Sequence, residues 1–124
     1  MLVRTAADAA ALFESLLAHA EQERLCIAYL DGESRLIGHE IFDKGAAQEV
    51  ELPVRAIATS ALRLGAEGLV IAHNHPSGNA EPRVADREAT RRLADTLRAL
   101  GIRLQDHLVY AAGEWRSFRG LGLL

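Results

Sequence analysis

The sequence predicts a three-layer α/β fold, a mixed β-sheet flanked by helices. Segments with a helical apolar period alternate with short runs of strand character. Pairs of those runs are separated by tight-turn residues, the pattern of hairpins. A continuous apolar run, Gly68-Leu69-Val70-Ile71-Ala72, reads as a buried strand leading straight into His73.

The elements follow in order. Residues 6–22 place Leu12, Phe13, Leu16, Leu17 and Ala20 on one helical stripe. Leu25–Leu30 is a strand, Asp31-Gly32-Glu33-Ser34 a hairpin turn, and Arg35–Phe42 the returning strand. Alternation in that strand puts Leu36, Gly38, Glu40 and Phe42 on one face, with Ile37, His39 and Ile41 on the other. Asp43-Lys44-Gly45 breaks it, and Val50–Leu52 is expected to pair briefly. Pro53 suits the first turn of a helix that runs through Ala56, Ile57, Ala61 and Leu64 to a stop at Gly65. After the 68–73 strand, a helix opens near Pro82, with Leu93, Leu97 and Leu100 as its apolar stripe and Gly101 as its end. Ile102–Tyr110 and Trp115–Phe118 form a hairpin across Ala111-Ala112-Gly113-Glu114.

Composition narrows the classes. A chain of 124 residues, 49% hydrophobic and 25% charged, suits one globular domain over 1–124, with the N-terminal helix of residues 1–23 packing on it. No repeat, linker or membrane-length apolar stretch interrupts it, and the alanine-rich start with Asp8 and Glu14 is not a signal peptide. The single Cys26 lies in an apolar run, which excludes cysteine zinc ligation and an internal disulfide and points to a reducing cytoplasm. A net charge of −3 gives no global attraction to nucleic acid. Arg83, Arg87, Arg91, Arg92 and Arg98 nevertheless share one helix, as a solvated face with Glu88 and Asp95 or as a phosphate-binding stripe.

Chemistry concentrates in His73-Asn74-His75-Pro76-Ser77-Gly78 and Asp86. Three metal-binding side chains fall within fourteen positions. Imidazole and carboxylate are ligands zinc prefers, and three of them leave a position open for water, as in catalytic sites. Period two along a strand end holds His73 and His75 on the same side. A hydrolytic site of this kind also needs a carboxylate to move protons. Glu40, in mid-strand beside Leu36 and Phe42, is the candidate if its face turns inward; an edge-strand glutamate facing solvent is the alternative. Glu67 precedes its strand and Glu81 lies in the turn before Pro82, which makes them weaker rivals. Asp86, in the first turn of its helix, is explained by ligation or by the helix dipole.

Glu40, the His73-x-His75-Pro76-Ser77-Gly78 turn, Pro82 and Asp86 together resemble the motif of the JAMM (MPN-plus, JAB-type) metalloproteases, specifically the RadC-like branch. Asp106-His107, Trp115-Arg116-Ser117-Phe118 and the Gly120–Leu123 tail are similar to the later parts of RadC proteins, so the likeness runs from about Leu25 to the C-terminus. The resemblance implies a fold related to the cytidine deaminases. It implies zinc held by His73, His75 and Asp86, with Glu40 as acid/base in the hydrolysis of a peptide or isopeptide bond. The family name is associated with DNA repair. Asp106 carries no role to transfer, and His107 reads as a core histidine or one hydrogen-bonded beside the site, with direct ligation as the alternative. Relatives place a serine three residues before the aspartate to stabilise the oxyanion; here Arg83 stands there, with Ser77 of the turn as another donor. RadC proteins also carry a helix-hairpin-helix module ahead of this domain, and only the 6–22 helix is expected here. The competing expectations are a non-catalytic module of the same fold, binding DNA or a protein partner, and a deaminase. The second lacks the Pro-Cys-x-x-Cys ligands.

Overall fold

Thr5 starts the first helix. Its hydroxyl accepts the Asp8 amide at 3.1 Å, and the Asp8 carboxylate accepts the Thr5 amide at 3.2 Å, a capping box that opens α1, Ala6–Leu17. The structure, a computed structural model, describes residues 1–43 and 52–124. In it α1 stops well before residue 22. Side chains from outside the helix claim its last turn and the backbone beyond: the Arg24 guanidinium donates to the Leu16 carbonyl at 3.0 Å. The Asn74 carboxamide accepts the Arg24 amide at 2.7 Å and donates to the Gln22 carbonyl at 3.1 Å. These bonds shape the 18–23 loop and override the local helical pattern.

Strand β1, Arg24–Leu30, turns into β2, Leu36–Asp43. Asp31 makes the turn by accepting the amides of Glu33 and Arg35 at 2.8 and 2.9 Å. The expected alternation in β2 is present, with Leu36, Gly38, Glu40 and Phe42 half-buried and Ile37, His39 and Ile41 exposed. Lys44, Gly45 and the Val50-Glu51 part of the expected 50–52 pairing lie outside the described residues. Helix α2, Val54–Leu64, starts just after Pro53, which caps it instead of occupying its first turn, and Gly65 ends it at φ 68°.

Strand β3, Gly68–Asn74, is buried along its whole length. Helix α3, Val84–Ala99, buries Asp86, Ala89, Thr90, Leu93 and Leu97. Leu100, expected in that stripe, is exposed. The helix closes in a Schellman turn: Ile102 N–H reaches the Leu97 carbonyl, Gly101 N–H the Arg98 carbonyl, and Gly101 sits at φ 75°. Ile102 takes the buried place that the pattern had given Leu100. Strands β4, Arg103–Ala111, and β5, Glu114–Ser117, are joined by Ala112 and Gly113 at φ 50° and 80°, a two-residue turn of the primed type.

The sheet order is β2-β1-β3-β4-β5, antiparallel except for the β3–β4 pair, which is parallel and bridged by α3. One face packs on α1 through Cys26, Ala28, Val70 and Ala72 against Phe13 and Leu17. The other packs on α2 and α3 through Leu25, Ile27, Leu69 and Ile71 against Ile57, Leu93 and Leu97. This is the expected three-layer arrangement. Burial pushes the Cys26 thiol up to about 11, so it serves as an inert core residue. Among the described residues no helix is long and apolar enough to cross a membrane.

Candidate metal centre

The C-terminal end of β3 and the first turn of α3 meet below the sheet. His73 points to the α3 face, because it pairs with Leu25 of the α2/α3 core. Asn74 points to the other face, where it fastens the 18–23 loop. His75 returns to the side of His73, its amide held by the Tyr110 carbonyl at 2.9 Å. Asp86 rises from α3. The ligand atoms of His73, His75 and Asp86 lie within 4.8 Å of one another, and all three residues are buried.

For neutral rings, the hydrogen bonds around them set which nitrogen carries the proton. Thr90 donates its hydroxyl proton to the Asp86 carbonyl at 2.6 Å, so its oxygen accepts from His107 Nδ1 at 2.7 Å. His107 Nε2 is then an acceptor and takes the His73 Nδ1 proton at 2.7 Å. His75 Nδ1 donates to the Asn79 carbonyl at 2.7 Å. In those tautomers both Nε2 atoms turn a lone pair inward; they lie 2.9 Å apart, His75 Nε2 3.2 Å and His73 Nε2 3.5 Å from the Asp86 carboxylate. Burial holds His107 well below the ordinary imidazole value and keeps it neutral. The Asp86 carboxylate accepts the Arg83 amide at 2.8 Å, a bond that favours its ionised form against the cost of burial. Two lone pairs and an anion facing one another across a buried gap repel unless positive charge sits between them. Two imidazole nitrogens and one carboxylate are a donor set for a divalent metal.

Each residue singled out in the sequence now has a place. Glu40 lies on the same sheet face as His73: it pairs with Ile27, which pairs with Ile71, two positions from His73. Strand spacings put their Cα atoms about 12 Å apart. Its carboxylate accepts the Tyr29 hydroxyl at 2.5 Å, and no hydrogen bond joins it to the triad among the described residues. Burial and that bond push the Tyr29 phenol up, so it stays a donor. Glu67, beside Gly32, is at the far end of β3, and Glu81 is exposed, 3.6 Å from Arg116. Ser77 is exposed in the turn. Arg83 touches the triad through its amide and its Nε, 2.8 and 3.5 Å from Asp86 Oδ2. Arginine offers no acceptor, so only the Asp86 half of a capping box forms there. His107 is hydrogen-bonded directly beside the site, between His73 and Thr90. Asp106 is on the opposite face, where it accepts the Ser117 hydroxyl at 2.5 Å and the Arg119 amide at 3.1 Å and fastens the C-terminal turn.

The profile of the RadC-like JAB domain matches residues 3–123. The chain belongs to the RadC family. Its open mixed sheet is consistent with the JAB fold. Relatives of this RadC-like chain include a UPF0758 protein of Vibrio atlanticus, 41% identical over 108 residues, and one of Vibrio vulnificus, 40% identical over 108 residues. Each match covers 87% of this chain and 48% of the relative, so the chain spans about half the length of these proteins. Sequence reasoning missed three partners of the RadC-like centre. Thr90 was accessible, four residues after Asp86 and hence on the same helix face. Glu23, sixty residues from the Arg83 it meets, and Tyr29, on the neighbouring strand, gave no local signal.

Proposed function

We propose that this RadC-like chain is a zinc-dependent hydrolase acting on an amide bond, of peptide or isopeptide type. The observation that best supports the reading is the convergence of the His73 and His75 Nε2 atoms and the Asp86 carboxylate in one buried cluster. His73, His75 and Asp86 would hold the ion, with the two rings fixed by His107 and the Asn79 carbonyl. When bound, zinc there supplies Lewis-acid activation of water and of a carbonyl at neutral pH. Glu40 is the proton carrier. Tyr29 holds its Oε1, which leaves Oε2 to receive a proton and return it to the leaving amine. Arg83 is one candidate for an oxyanion role, although its Nη2 is already bonded to Glu23 at 2.6 Å. Ser77, exposed in the turn, is the other donor for that role. A reducing cytoplasmic setting fits the lone buried Cys26.

That engagement of Arg83 favours a second reading, a non-catalytic module that keeps its metal and binds DNA or a protein through the exposed Arg87, Arg91, Arg92 and Arg98 of α3. DNA binding that weakens steeply with salt and further in the double variant R87E/R91E would favour it. For the hydrolase, elemental analysis should find one zinc per chain, lost in H75A and retained in E40Q. E40Q should also lose hydrolysis of a panel of fluorogenic peptides and isopeptides. A folded, metal-free wild-type chain from zinc-supplemented culture sinks the reading.

A further inference from the structure

Asp86 shares one of its two oxygens with an arginine, and that arginine is itself divided between two carboxylates. Arg83 Nε lies 3.5 Å from Asp86 Oδ2, and Nη2 donates to Glu23 Oε1 at 2.6 Å. Glu23 reaches this point because the Asn74 carboxamide bonds to the backbone on either side of it, at Gln22 and Arg24. The match is incomplete: Glu23 Oε2 is buried and has no hydrogen-bond partner among the described residues. Guanidinium commonly meets a carboxylate with two parallel bonds. Here the fork gives one to Glu23 and turns its Nε edge to Asp86. A buried, undonated carboxylate oxygen costs stability, so the arrangement is poorly explained as a fold-stabilising ion pair. Electrostatics gives it a different role. An uncompensated cation in contact with Asp86 would compete with a dication for the same carboxylate. Glu23 supplies the balancing charge.

We propose that Glu23 is a positioning residue for the metal centre: it holds Arg83 in a neutral pair, which orients Asp86 without taking its charge away from a bound divalent ion. The inference rests on the metal-binding reading above. Zinc affinity, measured by competition with a chromogenic chelator, tests it in the full chain at neutral pH. E23Q keeps the acceptor and removes the charge, and its affinity should fall about tenfold. R83Q removes the cation and should bind zinc up to about tenfold more tightly. E23Q/R83Q should return to within about threefold of wild type, a rescue that simple loss of structure cannot produce. Arg83 is 42% exposed, so the E23Q deficit should also narrow in about 1 M salt. Far-UV circular dichroism shows that each variant is folded. If E23Q is not, R83Q decides alone, and an affinity unchanged or reduced there overturns the proposal. An E23Q affinity equal to wild type, or a double variant as weak as E23Q, overturns it as well. Wild-type protein that binds no zinc removes the metal reading itself, a separate result.

Discussion

At the residue scale, Thr90 is the origin of a chain of proton assignments. Its hydroxyl has one proton, given to the Asp86 carbonyl, and this sets His107, which sets His73. The direction of the relay decides whether His73 offers a lone pair or an N–H to the triad. T90V should therefore act twice. It leaves the buried His107 Nδ1–H without an acceptor, costing about 1–3 kcal/mol in urea unfolding. It also frees His107 to present Nε2–H to His73, and zinc affinity should drop by about 10- to 100-fold. T90S, which restores the hydroxyl, should recover both. Wild-type zinc affinity in T90V would falsify the relay.

At the element scale, α3 carries both the site and the core on one stripe, Asp86 and Thr90 at its start and Leu93 and Leu97 further along. These jobs separate by distance. Leu97 is about 16 Å along the helix from Asp86, so L97A should lower stability by about 2–5 kcal/mol by chemical denaturation while folded protein keeps its zinc affinity. A concurrent loss of affinity would show that core packing sets the ligand geometry. The same helix shows what a sequence discloses. His73, His75 and Asp86 were readable because strand alternation and helix start are local rules. The beginning of α1 was readable for the same reason, through Thr5 and Asp8. Its end was not, because the bonds that stop it come from Asn74, fifty residues away. Leu100 fits a helical period that the chain abandons at the Schellman turn, where Ile102 fills the place. Glu40 was readable as a residue on an inward face; its bond to Tyr29 needed the β1–β2 register.

For the whole molecule, the site ties the first turns of α3 to β3 and β4, the parallel pair that this helix bridges. It sits outside the carboxyl end of β3 in the one parallel pair, where α/β sheets commonly bind ligands. A ligand held only by the folded state stabilises it by about 2.7 kcal/mol at a hundredfold excess over Kd. Zinc added to chelator-stripped protein should thus raise the melting temperature by about 10 °C. H75A should show no such rise, and an unmoved wild-type melt would argue that the folded chain does not bind zinc. The Asn74 side chain bears on a different question, the portability of the motif. Lifting the 73–78 turn and the start of α3 onto another scaffold would carry the three ligands across. Asn74 would then face a foreign surface with no 18–23 loop to bind, and Glu23 would be left behind. The transplant would receive an Arg83 without its counter-charge. The smallest transferable unit of this centre therefore includes a stretch of chain fifty residues upstream that contains none of its ligands.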